Sequence, residues 1–199
     1  MGDGKSTMAA NLAIAIAQSG KRTLLVDGDM RRPRIHDAFN LRQVEPGLAT
    51  VLNRQAQVAD AIQSTFIDNL FVMTAGRRPA NPSELLSTNA LAETFTELKS
   101  MFDMVIVDTP PLLHVSDPAN ISVLVDGVLL TIKLGKNCRP ASVRSREILD
   151  GIGANVLGVV VNRGESAGLM GQYGDRDYGY EYSAYGDDGE GAASRNASR

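Results

Sequence analysis

Tryptophan is absent from this 199-residue chain, cysteine occurs once and histidine twice. With Cys138 alone, no disulfide can form within the chain, and His36 and His114 have no second ligand at metal spacing. Both histidines are therefore read as structural or solvent-facing. No stretch approaches the roughly 18 consecutive apolar residues of a membrane-spanning helix, and no secretory leader pattern is visible. Membrane association would have to come from outside this segment. A formal net charge of -3 gives no basic footprint, so no nucleic-acid partner is expected. The 43% hydrophobic content fits a cytoplasmic globular domain long enough for one good core. Tyrosine is missing from everything before Tyr173.

The opening stretch, MGDGKST, lacks half of a motif. A phosphate-binding loop of the Walker A type reads G-x-x-x-x-G-K-[ST]. Only its end is here: Gly2, Asp3 and Gly4 lead to Lys5, Ser6 and Thr7. The first glycine, and the strand that feeds such a loop, would precede Met1, so we expect the chain to be a piece of a longer domain. The continuation, STMAANLAIAIAQSGKR, sets Ala9, Leu12, Ala13, Ile16 and Ala17 at the spacing of a buried helical stripe. Gly20 stands where a helix takes a left-handed cap, with Lys21 and Arg22 at the negative end of its dipole. A helix opening from the loop is what phosphate binding needs, because its first amides face an anion and Lys5 adds a point charge. The plainer reading is a glycine turn before an ordinary helix.

Short apolar runs predict strands at 23–27, 70–74, 104–108, 128–133 and 156–161, each apolar enough for burial on both faces of a parallel sheet. Helical patterns lie between them, most clearly at 90–102 and 141–151. The alternation predicts an α/β fold with a doubly wound, mostly parallel sheet and its ligand at the carboxyl ends of the strands. Two of the runs end in carboxylates there. TLLVDGDMRRP closes a strand with Asp27 and follows it with Asp29, and FDMVIVDTPP delivers Asp108 to the top of another. An aspartate after a buried strand is the Walker B arrangement, holding Mg²⁺ or a water on it. Mg²⁺ keeps several waters, so one or two carboxylates, the Ser6 hydroxyl and phosphate oxygens suffice. Taken singly, either aspartate could instead cap a helix or a turn.

GDGKST, LLVDGDMRRPRIH, RRPANPSELLS and MVIVDTPP together resemble the cytoplasmic kinase domain of bacterial tyrosine kinases, the family that regulates capsule and exopolysaccharide export. The likeness covers residues 1 to about 163 and implies a P-loop fold of the MinD/ParA-like branch with its first strand missing. It implies that Asp27 and Asp29 form the Walker A′ motif, D-x-D-x-R, completed by Arg31. It puts Asn162 near the adenine, although an asparagine at a strand end is also an ordinary turn former. ATP and Mg²⁺ are the implied cofactors. Lys5 and the loop amides would cradle the phosphates, Thr7 would add a hydroxyl near the α-phosphate, and Ser6, Asp29 and Asp108 would hold Mg²⁺. Asp27 is the candidate to accept the tyrosine proton. Arg31 or Arg32 would neutralise phosphate, anchor an acidic segment, or simply form a solvated turn.

Residues 164–199 are rich in Gly, Ser and Asp without hydrophobic periodicity, which predicts a disordered tail beyond a 1–163 domain. Tyr173, Tyr178, Tyr180, Tyr182 and Tyr185 are gathered in it. Kinases of the resembling family end in such a cluster, offered to a neighbour's active site. The resemblance also implies a ring of identical subunits in the longer protein and a polysaccharide co-polymerase or activator in the inner membrane. Two other functions stay open: a MinD/ParA-like ATPase acting as a dimerisation switch, and a nucleotide-binding regulatory module without catalysis.

Overall fold

The computed structural model describes residues 4–41, 45–135 and 138–162. Gly2, Asp3, the expected boundary at 163 and the five tyrosines lie outside the described residues. In chain order the elements are α1 (Lys5–Gln18), β1 (Thr23–Asp27), α2 (Ile35–Ala38), α3 (Leu48–Leu52), β2 (Ile62–Ser64), β3 (Leu70–Met73), α4 (Pro82–Leu85), α5 (Asn89–Met101), β4 (Met104–Asp108), α6 (Asp117–Ser122), β5 (Val128–Lys133), α7 (Cys138–Gly151) and β6 (Val156–Asn162).

Helix α1 starts from Gly4, whose φ of 76° lies in the left-handed region that glycine reaches without strain. Met8 N–H closes the first turn on the Gly4 carbonyl at 2.8 Å. At the far end Gly20, with φ of 88°, turns the chain out while its N–H bonds the Ala17 carbonyl at 2.9 Å. The buried line of α1 is Ala9, Ala10, Ala13 and Ala17, whereas Leu12 and Ile16 stay half-buried. Small side chains let the helix lie close to the sheet, and the larger ones are left on its flanks.

The main sheet has the order β2-β3-β1-β4. Strand β1 pairs in parallel with β3 on one side and β4 on the other. All five of its residues are buried, as a central parallel strand requires. Its side chains alternate between two apolar layers. Leu24 and Val26 join residues of α3 and α5, while Leu25 joins Ala13 of α1 and Ile35 of α2. The sheet is therefore covered on both faces, which is the doubly wound arrangement the sequence predicts.

Two features differ from expectation. A short strand, β2, runs antiparallel to β3 at the outer edge. Three residues of mixed polarity, Ile62, Gln63 and Ser64, carry no periodic signal, and only the pairing reveals them. Strands β5 and β6 form a separate parallel pair. Their residues are half-buried or exposed, and Met104 of β4 is exposed as well, so these runs lack the two-sided burial that their composition suggests. Apolar composition reports what a strand can bury, and its neighbours decide what it does bury. Among the described residues the outer edge of β4 has no strand partner, and β5 is paired only with β6.

Truncating the fully buried Leu25 to alanine should destabilise the fold by about 2–5 kcal/mol. The same change at Leu157, 66% exposed, should stay within about 0.5 kcal/mol. Urea denaturation of the two variants checks the contrast.

Candidate active site

Parallel strands deliver their following residues to one edge of the sheet, and here β1 and β4 run in register to their last residues. Asp27 stands directly beside Asp108. Past the strand end, Gly28 N–H donates to the Asp108 carbonyl at 2.8 Å. A Cβ at Gly28 would come within 2.7 Å of that oxygen, so glycine is what allows the two strand ends to lie this close.

Asp27 is wholly buried, and both of its oxygens accept backbone donors. Oδ1 accepts the Asp29 N–H at 3.2 Å, and Oδ2 accepts the Arg34 and Ile35 N–H groups, each at 3.0 Å. One carboxylate thus turns the loop after β1 and caps the start of α2. Burial pushes its pKa up to about 7, with the Asp108 charge adding to the rise and the three amide bonds opposing it. Asp29 Oδ1 accepts the Arg31 and Arg32 N–H groups at 3.1 and 2.9 Å.

Asp108 is buried too, and burial holds its pKa above the ordinary carboxylate range. A hydrogen bond from the Ser6 hydroxyl and the nearby Lys5 charge pull it down, while Asp29 pushes it up. These couplings bring Lys5, Ser6, Asp29 and Asp108 into one electrostatic cluster where α1 begins. Asn162, at the end of β6, arrives at the same place: a Cβ on Gly4 would collide with its side-chain amide. Thr7 is exposed on the first turn of α1 and lines, with Ser6, Ile14, Arg34 and Phe66, a cavity of about 390 Å³.

Among the described residues no three His, Cys, Asp or Glu side chains close into a metal cluster by themselves. The donors that do converge are hard oxygens, two carboxylates and a hydroxyl, around a buried negative charge only partly compensated by Lys5. That set fits Mg²⁺ shared with phosphate oxygens and water better than a cage built by protein alone.

Arg31 is not a solvated turn residue. Its guanidinium pairs with the buried Asp117 at 2.9 Å and bonds Ser83 at 2.7 Å. Asp117 does not stand out in the sequence, and Ser83 enters it only within the stretch RRPANPSELLS, with no role of its own. Each sits beside a proline at a helix start, Pro82 and Pro118, which reads locally as a cap.

A family model described as an AAA domain matches residues 1–138. Tyrosine-protein kinase YwqD of Bacillus subtilis (strain 168) is 39% identical over 173 residues, covering 87% of this chain and 72% of that protein. The chain belongs to the bacterial tyrosine-protein kinases. The kinase domain of Escherichia coli tyrosine kinase ETK matches this kinase chain with a TM-score of 0.80 and 32% identity, over 89% of this chain and 68% of that one. Pyrococcus furiosus cell division ATPase MinD matches with a TM-score of 0.70 and 28% identity, over 81% and 67% respectively. The fold is thus a P-loop nucleotide-binding fold common to kinases and MinD-type ATPases.

Because Asp27 rises from 3.8 to about 7, the folded state of this kinase domain binds its proton more tightly than the unfolded chain does. Its contribution to stability is complete below about pH 4 and is lost as pH rises through about 7. Urea denaturation of metal-free protein at pH 5 and pH 8 should show this loss, and Asp27→Asn should shrink the difference. Gly28→Ala should separate the strand ends and destabilise the fold by about 1–3 kcal/mol, measured the same way.

Proposed function

We propose that this chain transfers the γ-phosphoryl group of ATP to tyrosine, and that the tyrosines of its own 164–199 segment are its first acceptors. The observation that carries this is the convergence of Lys5, Ser6, Asp29 and Asp108 at the start of α1, beside the buried Asp27. Phosphoryl transfer passes through a loose transition state, so positioning and charge stabilisation outweigh base catalysis. Lys5 and the α1 amides hold the phosphates. Ser6, Asp29 and Asp108 would hold Mg²⁺ directly or through water, and Thr7 would place its hydroxyl near the α-phosphate. When bound, Mg²⁺ would supply positive charge against the negative charge that develops on the transferred phosphoryl group. Gly2 and Asp3 would contribute to nucleotide binding, and Asn162 borders Gly4 on the β6 side.

Asp27 takes the tyrosyl proton late in the transfer. An unperturbed tyrosine titrates near 10, and a carboxylate titrating at about 7 is a better acceptor than an ordinary one. The acceptor segment carries Asp175, Asp177, Glu181, Asp187 and Asp188, and Arg34 at the cavity beside Thr7 complements that charge. The acidic segment would be offered to the site of a neighbouring copy of the chain. Each phosphate then adds about -1.5 to -2 charge, and repulsion from Asp27, Asp29 and Asp108 favours release. Other copies of the chain, in a ring, are the partners this requires.

A role in capsule or exopolysaccharide polymerisation and export follows from the family resemblance of the quoted motifs. No helix among the described residues is long and apolar enough to cross a membrane. A membrane co-polymerase or activator domain, fused or separate, would supply the inner-membrane attachment. The MinD likeness supports a second reading, an ATPase that uses the same cluster as a dimerisation switch. A non-catalytic module would bind nucleotide only.

One experiment separates these readings. A Lys5→Met chain with an intact tail is mixed with an active chain whose five tail tyrosines are phenylalanine, and phosphotyrosine is mapped by mass spectrometry after incubation with ATP and Mg²⁺. Phosphate on the Lys5→Met tail is expected. Phosphotyrosine appearing only when an active site and tyrosines share one chain overturns transfer between copies. ATP hydrolysis without phosphotyrosine favours the switch, and neither reaction favours the module.

A further inference from the structure

Arg31, Ser83 and Asp117 come from three distant segments and close into one polar knot. Arg31 Nε donates to Asp117 Oδ2 at 2.9 Å, and its Nη2 donates to Asp117 Oδ1 at 3.3 Å and to Ser83 Oγ at 2.7 Å. The Ser83 hydroxyl donates in turn to Asp117 Oδ1 at 2.5 Å. Asp117 is completely buried, and the Arg31 side chain is 21% exposed.

The anchors lie among buried residues. Ser83 follows the buried Pro82 at the start of α4, near the buried Leu86, and Asp117 opens α6 against the buried Pro118 and Ile121. Arg31 belongs to the loop after β1. Its side chain is tied to α4 and α6, while its main-chain N–H donates to Asp29 Oδ1. The Arg32 N–H falls on the same oxygen. One residue therefore connects two buried helix starts to the carboxylate that faces the nucleotide cluster. A buried ion pair contributes little net stability, because desolvation offsets its attraction. A guanidinium bonded to both oxygens of a carboxylate does fix orientation.

We propose that Arg31 is a positioning residue: held by Ser83 and Asp117, it orients the Asp29 carboxylate toward the divalent cation of the nucleotide site. This rests on the site proposed above and adds the element that sets its metal affinity. It also distinguishes Arg31 from a phosphate contact, because its guanidinium is committed to Asp117 and Ser83.

The test uses the full chain and a readout other than catalysis. Binding of Mn²⁺ in the presence of ADP is followed by electron paramagnetic resonance, and binding of a fluorescent ADP is measured separately in excess EDTA. The variants are Ser83→Ala, Arg31→Lys, and the double change Arg31→Met with Asp117→Leu, which leaves no buried unpaired charge; circular dichroism confirms that each is folded. Outer-shell partners of metal ligands typically affect affinity 10- to 100-fold, so the double variant should weaken Mn²⁺ binding about tenfold or more, with a smaller loss for Ser83→Ala. Binding of ADP in EDTA should stay within about twofold, since Lys5 and the α1 amides are untouched. Arg31→Lys should not restore Mn²⁺ affinity, because one ammonium cannot span both Asp117 oxygens and Ser83.

A folded double variant that binds Mn²⁺ like the wild type overturns the proposal. So does an equal loss of ADP affinity in EDTA, which would make Arg31 a phosphate ligand. If the double variant does not fold, unchanged Mn²⁺ affinity in Ser83→Ala overturns it instead. A wild type that binds Mn²⁺ and ADP without making phosphotyrosine removes the kinase reading and leaves this result standing. A wild type that binds neither removes both.

Discussion

The distance between the last residues of β1 and β4 governs the chemistry of this molecule. With Gly28 N–H bonded to the Asp108 carbonyl, two carboxylates are set side by side where little water reaches them. Neither would be tolerated there alone as a bare charge. Three backbone amides answer one of them, and the Ser6 hydroxyl and the Lys5 ammonium answer the other. Both still keep their protons more readily than ordinary aspartates. The sheet thus holds an electrostatic deficit, set by strand geometry, that a cation carrying phosphate can fill.

Asp27 shows how closely shape and chemistry are bound together at this edge. The reading that it caps a helix and the reading that it belongs to a nucleotide site looked like alternatives in the sequence, and the structure makes the cap real. Its two oxygens organise the loop and α2 before any ligand arrives, which pre-arranges Asp29 and Arg34 in the same act. Substitution here will blend a folding effect with a chemical one. Arg31 and Ser83 offer a cleaner separation, since the side-chain bonds described for them run to Asp117 and to each other, and the Arg31 main chain carries the link to Asp29.

Legibility followed range. The helix from Lys5, the strands bearing Asp27 and Asp108, and the alternation of strand and helix were written in local spacing, because burial on a parallel sheet imposes apolar runs and the strand ends face the ligand. Gly20 and its left-handed turn could be placed from the chain alone. The knot of Arg31 with Ser83 and Asp117 could not, since its members lie 52 and 86 positions from Arg31 and each looks unremarkable beside its own neighbours. Strand β2 escaped for the opposite reason: it exists only as a partner of β3. Burial of β4, β5 and β6 was overestimated because composition cannot say what lies next to a strand.

One face of β6 has a consequence for handling the molecule. Leu157, Val159 and Val161 point the same way along the strand and are 66%, 51% and 57% exposed. Two apolar residues apart on an extended chain make a continuous greasy ribbon, and such ribbons draw copies together as concentration rises. Salts that strengthen hydrophobic association should lower the concentration at which the chain clouds, whereas mild detergent should raise it. Colloidal behaviour, more than thermal unfolding, would then set the practical ceiling for work on this chain.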